Sequence, residues 1–456
     1  MNQPMPATKN EILSGWGNTP LAECLSYRPE KNRDLRSIAQ GHAGPLLARG
    51  MGRSYGDAAL QPGGTVVMSR LDHFMEFDTA QGIVRAQAGV TLADLMEVAI
   101  PRGWFPPVIP GTRYVTLGGA FAGNVHGKNH WRDGDFTEHV LSIRLMLASG
   151  EMVECSPSEH SDLFRATAGG MGMTGIIDQV TLRLKPIASA SLRTTSYRVN
   201  STDEMVKSFE HYRDRADYMV GWIDHMAQED NLGRGVFEAA SHMTTGEGGT
   251  KLTDFKPLKT KISIPFFMPP WLLNRYSMGV YNSYRFKKYS AAPDLETVGF
   301  NGFFHPLDGI GHWNRLYGRR GFFQYQCLIP ETPASAEKLQ EFLSIIHSRK
   351  CFSFLAVVKY HRDGKGLLTF SKRGYSIALD FPNTNAVHGL IPQLDRWVAD
   401  QGGRIYLAKD ALLTPDLFHA MYGPAASEWR GLLRHIDPQA KFASLMSQRL
   451  QWKAQP

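Results

Sequence analysis

The chain has 456 residues, 43% hydrophobic and 20% charged, with 50 Lys and Arg against 43 Asp and Glu for a net charge of +7. That length exceeds what one hydrophobic core can organise and calls for two or three domains, and the composition is that of an ordinary globular chain, not a disordered one. The positive excess, spread over this length, implies neither nucleic acid nor membrane by itself. Cys24, Cys155, Cys327 and Cys351 lie far apart with no CxxC pair, which argues against a zinc site or a disulfide framework and fits a reducing, cytosolic setting. The N-terminal stretch MNQPMPATKNEILSGWGNTP has no secretory apolar core of ~7–15 residues, and no window approaches the ~18 apolar residues of a membrane-spanning helix.

From residue 45 to about 186, short strands alternate with glycine-rich turns. Residues 46–49 and 65–69 read as strands, and 74–88 as a hairpin turning at 79–82. Thr91, with Asp94 three residues on, caps a helix whose stripe is Leu92, Leu95, Met96 and Ala99 and which Pro101 ends. Strands follow at 139–147 and 151–155, then a short helix near 161–168 and a strand at 176–184. From about 190 to 403 the strands lengthen (191–200, 218–225, 322–330, 352–361, 374–381). Leu339, Phe342, Leu343 and Ile346 mark 334–349 as a helix lying on a sheet. Lys409 falls at the end of a strand 404–409. Residues 243–296 lack periodicity and read as a mobile lid. The layout is α+β: residues 1–189 with 404–456 form one unit, and 190–403 a second, built on an antiparallel sheet.

Three glycine-rich segments stand out: RGMGRSYGD (49–57), PGTRYVTLGGAFAGNVHGKNH (110–130) and AGGMGMTG (168–175). Glycine lets a ligand approach the backbone, and successive amides can bind an anion. The second segment is too rich in glycine for a plain helix. The spacing GxGxxxG misses the GxGxxG of a nicotinamide-binding turn, and no GxxxxGK[ST] occurs. Three such segments before residue 190 point to one large ligand touched many times. The 16 histidines include no HExxH, so no metal site is expected, and there is no GxSxG nucleophile elbow.

Together with DLFRATAGGMGMTGIIDQVTLRLKP (162–186), these segments resemble the FAD-binding loops of vanillyl-alcohol-oxidase-type (PCMH-type) flavoproteins. HGKNH (126–130), HPLD (305–308), WNRLYG (313–318), FQYQ (323–326), DFP (380–382) and YLAKDALLTPDLFHAMY (406–422) are similar to the family's oxidases of polyprenyl-phosphate pentoses. That resemblance implies FAD contacts at Arg49, Gly50, Met51, Gly52, Arg53, Ser54, Tyr55, Gly56 and Asp57, at Gly111, and at Thr116, Leu117, Gly118 and Gly119. It also implies contacts at Gly123, Asn124, Val125, His126, Ile177 and Tyr406. Relatives with covalent flavin carry a histidine where this chain has Arg53, so non-covalent FAD is implied.

The resemblance further implies Lys409 and His126 as catalytic residues, and Tyr55, Tyr317, Gln326, Lys359, Ala378 and Lys409 as lining the substrate pocket. Lys128 and Asn129 are comparable candidates. Where some members carry a cysteine two residues before Asp-Phe-Pro, this chain has Ala378, which alters the pocket wall. The implied reaction is oxidation of the 2′-hydroxyl of a decaprenylphosphoryl-β-D-ribose-like substrate to the keto sugar, the first half of an epimerisation that feeds arabinose to cell-envelope glycans. An NAD(P)H-dependent keto-sugar reductase would be the partner, and a quinone or oxygen the electron acceptor. Two alternatives stay open: a soluble aldonolactone or alditol oxidase on the same fold, and a flavin-binding protein without turnover.

The stretch 251–288 carries eight Lys or Arg against the one acid Asp254, interleaved with aromatics around an apolar, proline-containing knot. That mixture suits lipid better than bases, so the expectation is no nucleic acid and a peripheral contact with the inner face of the plasma membrane.

Overall fold

A computed structural model describes residues 5–228, 231–269 and 271–452. Three sheets position the rest. The first joins Thr8–Ser14, Leu21–Tyr27, Thr65–Val67 and Leu47–Arg49, antiparallel in the first pair and parallel thereafter. The second is antiparallel, in the order Phe74–Asp78, Ile83–Gln87, Ile176–Arg183, Val140–Met146 and Met152–Cys155. The third has eight antiparallel strands, running from the edge strand Asp294–Gly299 through Ser191–Val199, Gly235–His242, Tyr218–Ile223, Ala356–His361, Gly374–Pro382 and Phe322–Pro330 to Arg404–Ile405.

The local signals act as their chemistry dictates. The Thr91 hydroxyl accepts from the Asp94 N–H, and the Asp94 carboxylate accepts from the Thr91 N–H at 2.9 Å, which starts the helix Leu92–Ala99. Pro101 does not end the chain's winding there. It opens a single 3-10 turn, Ile100–Arg102, because a first-turn residue needs no donor N–H. The helix Ser335–Ser348 buries Leu339, Phe342, Leu343 and Ile346 in the same apolar core as Tyr375 and Ile377 of the large sheet.

One element is added and three expectations are corrected. Residues 8–27 form a hairpin that the sequence reading did not find. The glycine-rich segment 110–130 does contain a helix, Leu117–Ala122, capped by Thr116, whose hydroxyl accepts from the Gly119 N–H. Glycine is needed inside it because a Cβ at Gly118 would lie 2.8 Å from the Ala88 Cβ, so close packing overrides propensity. Lys409 closes a 3-10 turn, Leu407–Lys409, since the strand there is only Arg404–Ile405. Residues 243–296 are not structureless: they hold the 14-residue helix Arg275–Lys288 and the beginning of the edge strand Asp294–Gly299. The Asn274 side chain caps that helix, accepting from the Tyr276 and Ser277 N–H groups.

The C-terminal segment returns to the beginning of the chain. Leu46 donates to the Lys441 carbonyl and Leu60 accepts from Leu445, while Arg449 forks onto Asp57 with two 2.8 Å bonds and reaches Asp410 at 2.9 Å. The first glycine loop is thereby bound to the segment that carries Lys409.

Candidate active site

The loop after strand Leu47–Arg49 turns twice through left-handed backbone, at Gly52 (φ 62°) and Gly56 (φ 59°). A Cβ at Gly56 would overlap the Asp410 carbonyl, and one at Gly52 would overlap the Arg49 guanidinium. These glycines therefore admit neighbouring chain as much as any ligand. Arg49 folds back beneath Gly52, donating to the carbonyls of Ser14 and Ala59. The Tyr55 N–H donates to the Ala408 carbonyl at 2.8 Å, while none of the N–H groups from Met51 to Ser54 donates to a backbone carbonyl among the described residues.

These residues line a cavity of about 760 Å³, toward the upper end of small-molecule sites (about 300–1,000 Å³). Its lining includes Gly50, Met51, Gly52, Arg53, Ser54 and Tyr55 from the first loop. The second segment adds Gly111, Thr116, Gly118, Gly119, Gly123, Val125 and His126, and the third adds Gly172, Gly175 and Ile177. Tyr406, Lys359, Ala378 and Lys409 close it from the large sheet and its last turn. At Gly111 a Cβ would meet no atom within 4 Å.

Seven residues of the predicted set do not line the cavity. Arg49, Gly56 and Asp57 serve the loop's own contacts as described. Leu117 is core, and Asn124 accepts from the Thr137 hydroxyl at 2.7 Å. Gln326 lies behind His126, and Tyr317 behind Asp380.

The site's polar side chains form two groups. His126, 4% exposed, is enclosed by Phe370, Tyr406 and His361, with ring centroids 5.3, 4.8 and 5.0 Å away. The Gln326 amide donates to its Nε2 at 2.8 Å, which leaves the ring proton on Nδ1. Burial, reinforced by the nearby His361 and Lys359, holds the imidazole well below its usual range, so it is neutral near pH 7.

The second group is cationic. Burial drives Lys359 down to about 7, helped by repulsion from Lys409 and Lys128. Lys128 falls to about 8 on burial; its ammonium donates to the Phe303 carbonyl and lies 3.9 Å over the Phe303 ring. Lys409 is also lowered by burial, with Asp380 opposing the shift. Asp380 is raised by burial and steadied by Gln324 at 2.6 Å, Lys409 and Tyr317. Lys128, Lys359 and Lys409 share the cavity with Arg53, Arg285 and Lys288 against the two lining acids Glu238 and Asp308, an excess of cations that makes an anion site.

The sequence reading missed Asp380, Gln324 and Trp16 as site residues, although each lies within a motif it quoted (DFP, FQYQ and GWGNTP). Trp16 stacks beneath the Arg53 guanidinium at 3.9 Å, and its N–H donates to the Ser54 carbonyl. Among the described residues, no cluster of three His, Cys, Asp or Glu is placed to hold a metal ion, and no helix is long and apolar enough to cross a membrane. The unpaired amides of residues 51–54, the glycine-lined floor and the size of the cavity fit a dinucleotide cofactor with room for a second ligand.

Comparison with known proteins agrees with this chemistry. Residues 27–156 match the FAD binding domain family. The chain is 37% identical to decaprenylphosphoryl-beta-D-ribose oxidase of Mycolicibacterium smegmatis over 97% of its own length and 98% of that protein. It is 30% identical to an uncharacterised protein of Streptomyces coelicolor over 79% of this chain and all of that one. With L-gulonolactone oxidase of Bos taurus it shares 26% identity over only 40% of the chain. The match to an FAD binding domain carries with it a PCMH-type α+β fold and FAD as the cofactor. This chain thus belongs to the decaprenylphosphoryl-β-D-ribose oxidase family and is an FAD-dependent oxidoreductase.

Proposed function

We propose that the protein oxidises the 2′-hydroxyl of a polyprenylphosphoryl pentose, of the decaprenylphosphoryl-β-D-ribose type, to the keto sugar. The observation that carries this reading is the trio Lys128, Lys359 and Lys409 on one cavity whose lining adds Arg53, Arg285 and Lys288 against two acids, Glu238 and Asp308, with Asp380 acting on Lys409 from behind the wall. A buried phosphate monoanion would restore the charge that burial removes from Lys359, whereas a neutral sugar lactone would leave the trio uncompensated.

In this reading residues 1–189 with 404–456 bind FAD and 190–403 bind the substrate, a division supported by the eight-stranded sheet drawing seven of its strands from 191–382, the eighth, Arg404–Ile405, joining it from the FAD-binding part. FAD is held non-covalently by the loops 50–55, 116–119 and 123–126 with Ile177 and Tyr406, Arg53 standing where a covalent tether would need histidine. When bound, it supplies the hydride acceptor. Lys409 takes or electrostatically stabilises the proton of the reacting hydroxyl, poised for this by burial and by Asp380. His126, neutral and fixed through Gln326, offers Nδ1–H as a directional donor and never a charge. Lys359 and Lys128 hold the phosphate, and Ala378 shapes the wall beside them. The keto product suits an NAD(P)H-dependent reductase that completes an epimerisation serving arabinose-containing envelope glycans. A quinone or oxygen reoxidises the cofactor, and the protein works at the inner face of the plasma membrane.

Anaerobic mixing with a panel of substrates tests this. Polyprenyl-phosphate pentoses are expected to bleach the flavin and neutral aldonolactones or alditols to leave it yellow. Lys409→Met should keep its flavin yet reduce it ~10²–10³-fold more slowly. Bleaching by an alditol or lactone, but by no phosphopentose, would replace this reading with the soluble-sugar oxidase.

A further inference from the structure

The helix Arg275–Lys288 is oriented the wrong way round for a soluble protein. Tyr276, Val280 and Tyr284, at i, i+4 and i+8 on one face, are 71%, 74% and 68% exposed. The buried face instead carries a polar residue, Asn282, which donates to Asp224 at 2.9 Å, and Arg285, whose guanidinium packs 4.6 Å over the Trp222 ring. Ile262, Phe266 and Trp271, the last 73% exposed, add large exposed apolar side chains along the segment that leads into the helix. Single exposed apolar side chains are ordinary, but a contiguous patch of this kind marks a surface that something covers.

Charge says what covers it. Lys256, Lys259, Lys261, Arg275, Lys287 and Lys288 stand exposed along 251–288, where Asp254 is the one exposed acid; Asp294 and Glu296 are exposed on the edge strand beyond it. Tyrosine and tryptophan partition to the headgroup level of a bilayer, aliphatic side chains below it, and lysines to anionic headgroups above. Tyr281, Tyr284, Arg285 and Lys288 of the same helix also line the cavity. One element therefore forms both the patch and the rim of the active site.

We infer that the helix Arg275–Lys288 and residues 262–269 and 271–273 lie in the headgroup layer of an anionic bilayer, so that the cavity mouth is pressed against the membrane. A lipid-linked sugar phosphate then enters sideways from the leaflet and leaves its tail in the lipid. The inference rests on the lipid-linked reading of the substrate. It goes further by naming the docking face, fixing its orientation and giving the helix an interfacial role in which it need not be displaced as a whole.

The holoenzyme is tested by flotation with phosphatidylcholine vesicles, with and without phosphatidylglycerol. The parent should float with the anionic vesicles alone and be released by salt, a readout that needs no variant. Lys287→Glu, and separately the triple change Trp271→Ser, Tyr276→Ser and Val280→Ser, should each lower vesicle binding about tenfold while keeping full flavin. Oxidation of a long-chain substrate embedded in vesicles should fall with binding, and oxidation of a short-chain, water-soluble phosphopentose should not. Equal flotation of parent and variants, an undiminished rate on vesicle-borne substrate, or binding of single-stranded RNA in place of vesicles overturns the inference. A parent that floats but oxidises neither phosphopentose overturns the substrate reading instead.

Discussion

The loop 50–57 and the helix Arg275–Lys288 both border the cavity, yet they are held by opposite means. The loop has little side chain of its own and is clamped by the rest of the protein: the Ala408 carbonyl takes its Tyr55 N–H, Arg449 grips its Asp57, and the Asp410 backbone fills the space beside Gly56. The helix is made of large side chains and is gripped at few points, with Asn282 its one buried residue. The difference separates two duties. A cofactor-binding floor must stay fixed so that its unpaired amides keep their positions, whereas a rim that meets a second surface can be held at few points.

Three experiments put pressure on that contrast. The largest effect is expected at the loop. Gly56→Ala forces alanine into left-handed backbone and onto the Asp410 carbonyl, which should lower stability by ~3 kcal/mol and empty the protein of flavin. Thermal unfolding and the ratio of flavin to protein absorbance measure both, and a fully yellow variant with the parent's melting temperature would mean the floor is not clamped as described.

A middle-sized effect should appear behind the same floor. Asp395, 2% exposed on the helix Asn385–Asp400, is pushed up to about 8 by burial and by the neighbouring Asp410. An unfolded aspartate titrates near ~3.9, so between those values the folded protein binds the extra proton and stability falls as pH rises. Asp395→Asn removes that dependence and should raise stability by ~2 kcal/mol at pH ~8, with the gain shrinking toward pH ~4. Urea unfolding across this range decides it; an identical gain at both ends would show that the carboxyl ionises normally.

The smallest effect belongs to the rim. Asn282→Ala removes one hydrogen bond to Asp224, which Arg234 continues to pair, and should cost ~1 kcal/mol or less, confined to the helix. Hydrogen exchange should quicken across 275–288 and remain unchanged at Tyr55. A matching rise at Tyr55 would join floor and rim into one cooperative unit and dissolve the contrast.

Much of the fold was legible in the chain because its signals are local. The Thr91 and Asp94 pair, the 74–88 hairpin and the stripe Leu339 to Ile346 each act within a few residues, and the structure reproduces them. Element ends were less legible, as at Lys409 and Pro101, since one hydrogen bond more or less moves them. The helix Arg275–Lys288 escaped notice because its apolar spacing faces outward, interrupted by polar residues, so it lacks the pattern of a core-packing helix.

By itself the sequence determined that three glycine-rich segments before residue 190 point to one large ligand and resemble FAD-binding loops, with a histidine inside the second and a lysine far downstream in YLAKD. Which side chains meet was decided only by the tertiary structure. Gln326 reaches His126 across 200 residues, and Arg449 reaches Asp57 across 392. No periodicity encodes such pairs, because they depend on how sheets and returning segments are stacked. The low polarity that makes Lys359 and Lys409 reluctant cations exists only once that stacking has removed them from water.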